Sequence, residues 1–541
     1  MNTPGYQDII RYHEVTKHHY HRYAKSPGYM DWQNQPNPYR FYTGKNIIYL
    51  PLLDKDPATA YPDLYCRQNN PPRQFILENI AGFLELSLGL SAWKSVAGSK
   101  WSLRINPSSG NLHPTEAHLV LPAINSMKAG VYHYNPFIHA LESRIRIPGQ
   151  LWANIVDHFE TEGFLIGLSS IFWRESWKYG ERAFRYCNHD VGHALAALCV
   201  SANLWGWKLS YLNALSDDDV STVLGFDRTG WKHLEGEEPD LLCFVHGYQN
   251  QDVRQGLPEE IIAAFSELEV AGEPNVLSKE NTEWAIIYQT AALTRKPATA
   301  EMTFDAGTQP FVETPGSELS ASAIIRQRRS ATDFNPNGSI PQGHFLAMLD
   351  KTIARDDCAP FDIRFIKPSV NLLLFVHRVD SLDRGLYFFM RNQADLDELR
   401  HISDPDFLWQ PIQADIPLYL LKAGDFRHEA MAVSCHQEIA GSSAFSVGMI
   451  TKFREIIKRE PYRYRHLFWE TGMIGQVLYL EAEAHGVRGT GIGCFFDDAV
   501  HDILGFRDNT WQSLYHFTVG DPVEDPRLTT HAAYHHLQRH G

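Results

Sequence analysis

The sequence matches itself at a shift of 280 residues. Gly206 falls on Gly486, Asp217-Asp218 on Asp497-Asp498, Val220 on Val500 and Leu224-Gly225-Phe226 on Leu504-Gly505-Phe506. Going backwards, Gly192 falls on Gly472, Arg185 on Arg465 and Lys178 on Lys458, with no insertion between residues 178 and 226. Elsewhere the offset drifts, so that Gly130-Val131-Tyr132 matches Gly385-Leu386-Tyr387 and Phe244 to Gly247 matches Phe517 to Gly520. Solenoid repeats recur every ~20–50 residues. A period this long marks a duplicated domain. The 541 residues also exceed the roughly 250–300 at which one core stops growing. The chain is therefore expected to build two similar units.

Each copy reads the same way. Val191, Leu195, Leu198 and Ala202 form a helical stripe that closes at Gly206. Met473, Val477, Leu480 and Ala484 repeat it and close at Gly486. His118–Leu121 and Leu372–Val376 are apolar runs of strand length, and Leu241–Val245 and Tyr515–Val519 read as late strands. Helices and strands mix without strict alternation, which favours an α+β class. Between the copies, Leu257–Leu268 and Trp284–Leu293 read as helices, and Arg295–Glu318 as an irregular linker. We divide the chain into an N-terminal wrapping extension (1–45), a first domain (46–255), a helical and irregular linker (256–318) and a second domain (319–541).

The copies differ where chemistry is expected. After the shared helix the first half reads Leu209-Ser210-Tyr211-Leu212-Asn213, and the second reads Gly489-Thr490-Gly491-Ile492-Gly493. Glycine serves where backbone must approach a ligand or take positive φ. The second half carries Arg328-Arg329-Ser330, whose forked cations suit a phosphate. No counterpart of that triplet is found in the first half. The first half carries Pro107-Ser108-Ser109-Gly110-Asn111, while the corresponding Lys367-Pro368-Ser369-Val370 runs straight into an apolar strand. The losses are complementary.

The segment Arg104 to Glu116, with its Pro107-Ser108-Ser109-Gly110-Asn111 core, resembles a signature of the SagB/ThcOx-type dehydrogenase branch of the FMN-dependent nitroreductase superfamily. Arg326 to Phe334 resembles the superfamily's phosphate-side segment. The lead-in from Pro27 to Pro36 also resembles SagB-type dehydrogenases. The resemblance implies two tandem nitroreductase-like domains, each a central mixed, largely antiparallel sheet with flanking helices, joined as an intrachain pseudo-dimer. It implies one FMN between them. Arg328, Arg329 and Ser330 would hold phosphate and ribityl chain, and Pro107, Ser108, Ser109, Gly110 and Asn111 would come from the other half. Gly489, Gly491, Ile492 and Gly493 would lie against the ring, and Arg527 resembles a C-terminal phosphate contact. The other half-site should be dead.

Trp177-Lys178-Tyr179 resembles the Lys-Tyr region of SagB/ThcOx oxidases. A desolvated Lys178, or a Tyr179 lowered by that lysine, is the candidate base for proton removal. His113 is a further candidate facing the substrate. In the second half Lys458 remains but Tyr179 becomes Arg459. The implied activity is SagB-like dehydrogenation of an azoline-type small-molecule or peptide substrate. NAD(P)H-dependent nitro or quinone reduction is an alternative, and a degenerate, non-catalytic flavin binder is another.

Other classes are disfavoured. A net charge of −15 argues against nucleic acid or an anionic membrane surface. No run of ~18 apolar residues is present, and the N-terminus has no signal-peptide pattern. Seven scattered cysteines without a Cys-x-x-Cys pair fit free thiols in the cytoplasm. Cys187, His189 and His193 lie close together, but no Glu follows as in His-Glu-x-x-His, so no metal is expected. His531, His535, His536 and His540 read as surface residues. No Gly-x-Gly-x-x-Gly supports a separate nicotinamide domain. A homo-oligomer beyond the pseudo-dimer stays open.

Overall fold

A computed structural model describes residues 5–44, 46–248, 253–304, 307, 309–312 and 315–537. His540 lies outside them. Two seven-stranded sheets carry the chain. In spatial order the first is Ile47–Tyr49, Ala140–Arg146, Gly130–Asn135, Thr115–Leu121, Gly163–Ser170, Glu238–Gly247 and Trp207–Tyr211. The second is Gln410–Gln413, Ile416–Ala423, Gly385–Phe389, Val370–Val376, Phe445–Thr451, Gln512–Gly520 and Arg488–Ile492. The last six strands of each follow the same order. The edge strand differs in origin, coming from the N-terminal lead-in in one sheet and from a local hairpin in the other. The ladders between these strands are antiparallel. Parallel register appears in isolated bridges, one of which joins Ser330 to Gly489.

The period-2 alternation of strands explains the layers. Leu372, Leu374 and Val376 point into the large core, and Leu373 and Phe375 into a separate cluster on the opposite face. Leu119 and Leu121 share the large core, while Val120 faces a cluster of the first half alone. The large core therefore runs through both halves, and its centre is the pair of duplicated helices α1 (Ala183–Leu204) and α2 (Arg463–Ala484). Both end at a left-handed glycine, Gly206 (φ 65) and Gly486 (φ 73), as their sequences predict.

The helices cross where the two copies are equivalent. A Cβ on Gly192 would lie 2.9 Å from the Cα of Gly472 and 2.2 Å from the carbonyl of Trp469. A Cβ on Gly472 would lie 2.9 Å from the Cα of Gly192 and 2.2 Å from the carbonyl of His189. Contact of i with j mirrored by j with i is the rule of a two-fold interface. The pseudo-dimer axis thus passes between residues the repeat pairs, and only glycine permits this approach.

The linker helices form at Glu259–Ser266 and Ala285–Leu293. The N-terminal lead-in contains a helix, Tyr6–Val15, not anticipated from its composition. It packs against the second half, where His13 Nε2 lies 3.1 Å from Gln512 Oε1. The C-terminal segment crosses the other way, with Thr529–His531 pairing on Leu90–Val96, whose hairpin partner is Ser99–Arg104. No helix among the described residues is long and apolar enough to cross a membrane.

Candidate active site

Two cavities, each of about 280 Å³, share Pro107, Ser108 and Ser330. They make one bent cleft whose walls come from both halves.

The first cavity is cationic. Lys94, Arg104, Arg328, Arg329 and Arg488 line it, against the carboxylates of Glu524 and Asp525. Arg488 is paired with Glu524. Arg328 is buried and donates from Nη2 to the carbonyls of Arg104 at 2.9 Å and Ile105 at 3.1 Å, which binds the second half to the first. Burial, then the charge of Arg328, lowers Arg329 to about 10. Four buried polar atoms here have no partner: Arg104 Nε, Asn106 Oδ1, His113 Nδ1 and Arg328 Nε. Unpaired buried polar atoms are costly unless a ligand completes them. The two arginine N–H groups are donors that suit an anionic group such as a phosphate, while Asn106 Oδ1 is an acceptor.

The second cavity is aromatic. Tyr179, Tyr186, Tyr479 and Tyr515 line it with Asp190, His193 and the backbone of Gly491, Ile492 and Gly493. Tyr479 sits at the bend. Its hydroxyl lies 2.9 Å from Ser330 Oγ and accepts from the amide of Gly491 at 3.0 Å. None of Gly489, Gly491 and Gly493 has positive φ. They are glycine because rings crowd them. A Cβ on Gly491 would lie 1.9 Å from Tyr515 Oη, on Gly493 2.3 Å from Tyr186 Cε1, and on Gly489 2.5 Å from Phe517 Cε1. Of the two reasons expected for these glycines, close approach is the one the structure uses, and it is side chains that approach.

The Pro-Ser-Ser-Gly loop is held from below. Asp190 on α1 accepts from the Ser109 amide and from Ser109 Oγ, both at 3.0 Å. Gly110 (φ 61), Asn111 (φ 59) and His113 (φ 53) are left-handed, a conformation non-glycine residues take only when their surroundings enforce it. Asn111 does so by donating to the Ser102 carbonyl at 2.9 Å and meeting His113 Nε2 at 3.0 Å. In the second half Glu470 accepts from the Ser369 amide at 3.1 Å, so the cap survives where the loop does not.

Lys178 and Tyr179 end the helix Phe172–Tyr179 and reach the loop. A Cβ on Gly110 would lie 2.6 Å from Tyr179 Oη and 3.0 Å from Lys178 Nζ. Burial, then the charge of Glu175, pushes the Tyr179 hydroxyl well above its ordinary value. That runs against the expectation of a lysine-lowered tyrosine base, since burial keeps the Tyr179 hydroxyl protonated. His113 lines the cationic cavity, and burial, then Arg104 and Arg174, lowers its ring well below the ordinary value. Arg527 is not at the cleft. Its side chain is 79% exposed and tied to Asp525 two residues earlier at 2.8 Å, while Arg104 and Arg488 supply cations in its stead.

Several lining residues were missed from sequence: Lys94, Arg488, Tyr186, Asp190, His193, Gln437, Tyr479, Cys494 and Tyr515. The repeat register carries a signal for several of them, since Tyr479 and Cys494 stand opposite Cys199 and Ala214, and Tyr186 and His193 opposite His466 and Met473. His189 and His193 reach across the interface, to Thr471 Oγ1 at 3.0 Å and Tyr515 Oη at 3.3 Å. The pseudo-symmetric position carries rings. Tyr211, the counterpart of Gly491, packs edge-on against His466 at 6.0 Å between ring centres, and Phe365 and Trp469 close around His466.

Residues 325–521 match the sequence model of the Nitroreductase family. The Trifolitoxin-processing protein TfxB of Rhizobium leguminosarum bv. trifolii is 30% identical over 131 residues, 22% of this chain and 35% of that protein. The chain thus spans about a third of the length of the curated relative it matches. The crystal structure of a candidate nitroreductase from Anabaena variabilis ATCC 29413 aligns with 95% of this chain and 99% of that one, at 20% identity and a TM-score of 0.69. That likeness is one of fold, and it spans both halves. The second half thus matches the Nitroreductase family model, and the fold of the whole chain is similar to that of the Anabaena protein.

Proposed function

We propose that this protein is an FMN-dependent oxidoreductase with one flavin per chain, held in the cleft between domains at 46–255 and 319–541. The observation that carries this reading is the meeting of a cationic cavity and a tyrosine-lined cavity at Pro107, Ser108 and Ser330, with walls from both halves. Arg328 and Arg329, helped by Lys94, Arg104 and Arg488, would hold the phosphate, and Ser330 the ribityl chain. The strand Gly489 to Gly493 and the tyrosines would flank the ring. When bound, the flavin supplies a two-electron hydride acceptor or donor.

The chain's own residues supply the rest. Lys178 is our candidate proton acceptor. Tyr179, kept protonated, orients the substrate by donating a hydrogen bond. Asp190 fixes the loop through Ser109. The substrate class we favour is an azoline-type ring on a small molecule or peptide, supported by the sequence likeness to a toxin-processing protein. The seven unbridged cysteines support a cytoplasmic location.

Purified protein should be yellow, with one FMN per chain released on denaturation. A colourless protein that does not take up added FMN would sink the reading. If NADPH bleaches the bound flavin, the activity is nitro or quinone reduction rather than azoline oxidation.

A further inference from the structure

Cys494 lines the tyrosine end of the cleft next to Gly493 and Gln437, and its sulfur lies 2.8 Å from that of Cys435. That is about 0.8 Å beyond the length of a disulfide bond. The two residues are 59 apart in sequence, so the fold makes the pair.

The turn that presents Cys435 is strained. Cys435 (φ 54) and His436 (φ 59) are consecutive non-glycine residues in the left-handed region. Such a pair persists only where the surroundings enforce it. Gln437 enforces it by donating to the carbonyls of Ser434 and Cys494, both at 2.9 Å. Neither cysteine is fully buried. The Cys435 thiol, then the His18 ring and the Arg182 guanidinium, holds Cys494 down to about 5 against the effect of burial, while Cys435 is pushed up. The two sulfurs are hydrogen-bonded to each other, an arrangement that favours ionisation of one of them. The repeat register puts Ala214 opposite Cys494, so the first half has no thiol at this position.

We propose that Cys494 and Cys435 form a reactive dithiol at the end of the cleft that exchanges with small-molecule disulfides. The Cys494 thiolate attacks one sulfur of the disulfide; a mixed disulfide forms and one thiolate leaves. Cys435 loses its proton to solvent and attacks the Cys494 sulfur. The second thiolate leaves, and a Cys435–Cys494 disulfide remains. The protein is oxidised by two electrons and the small molecule is reduced by two. This activity is independent of the flavin reading.

The test uses the full chain, reduced and then freed of reductant, with oxidised glutathione as the probe at pH 6. After the remaining thiols are blocked with N-ethylmaleimide, a non-reducing digest is mapped by mass spectrometry. A Cys435–Cys494 crosslink is expected, formed roughly tenfold faster than glutathione adducts at the other cysteines. Cys435→Ser, which keeps a hydrogen-bond donor, should trap the glutathione adduct on Cys494. Cys494→Ser should leave Cys435 unmodified. Prior reaction at Cys66 and Cys358, which face each other across an isolated bridge, would overturn the proposal. So would the absence of a Cys435–Cys494 crosslink in the unmutated protein, which needs no variant to fold.

Discussion

Arg185 donates to Asp497 across the interface between the halves at 2.6 Å. The same 280-residue shift that aligns the sequence turns this pair into Arg465 and Asp217, which meet at 2.5 Å. Each half lends an arginine from its long helix to an aspartate of the other. The two bonds lie on either side of the Gly192–Gly472 crossing and lock the pseudo-dimer. All four side chains are buried; removing Arg465 takes away the arginine paired with Asp217, whereas Asp497 keeps Arg182 at 3.0 Å when Arg185 is removed. Arg465→Ala is expected to cost about 3–5 kcal/mol in denaturant-unfolding experiments, and Arg185→Ala less. Burial opposes ionisation of Asp497, but Arg182 and Arg185 hold its carboxyl well below the usual range. A depressed carboxylate contributes stability above its unfolded pKa and loses it as pH falls, so Asp497→Asn should flatten the acid limb of the stability profile.

Flavin retention should depend on both halves. Arg328→Ala, in the second, and Ser109→Leu, in the first, are each expected to weaken FMN binding by on the order of 10–100-fold, the range for a hydrogen bond to a charged group. Arg527→Ala should leave binding unchanged because that side chain stands in solvent beside Asp525. Fluorescence titration of apoprotein with FMN distinguishes the three, and an effect of only one of the first two variants would contradict a composite site.

Gly491 is the tightest point of the aromatic end. Its Cβ would fall 1.9 Å from Tyr515 Oη. Gly491→Ala should destabilise the protein by about 1–3 kcal/mol through overpacking. Adding Tyr515→Phe, which removes the clashing oxygen, should recover most of that loss in the same thermal or denaturant melt.

Lys178→Ala combined with Tyr179→Phe should leave the protein yellow while substrate oxidation falls by ~10²–10⁴-fold, the usual contribution of a positioned acid–base pair. Loss of colour in that double variant would mean the pair is structural.

Asp190 gives a pH signature of its own. Burial pushes its carboxyl up to about 7, against the hydrogen bonds from the serines above it. A raised carboxyl contributes stability below its unfolded pKa of about 4 and loses it as pH rises through the folded value. Relative to Asp190→Asn, the unmutated protein should therefore lose stability between about pH 4 and 7, by on the order of 4 kcal/mol at most. Parallel curves for the two proteins would refute the assignment. Asp240, also raised to about 7, is common to both and cancels in the difference.

The repeat was legible because duplicated helices keep their spacing. One register aligns Gly192 with Gly472, Arg185 with Arg465 and Asp217 with Asp497. The composite character of the site was legible for a related reason, since each half kept residues the other lost. The roles of single side chains were not. Arg527 has the composition of a phosphate ligand, but a carboxylate two residues away claims it. Tyr179 lies next to a lysine in sequence, but burial among acidic groups governs its proton. Both outcomes depend on neighbours that are close only in space.

By itself the sequence determined that two copies of one α+β fold face each other and that their differences are complementary, because helix and strand periodicities and register are local properties. Only the tertiary structure decided that α1 and α2 cross at paired glycines and that the cationic and tyrosine cavities join at Ser330. It also decided that Cys435 meets Cys494. Those facts require segments tens to hundreds of residues apart to be buried against one another, and burial, charge and close contact are what set the chemistry of the groups they enclose.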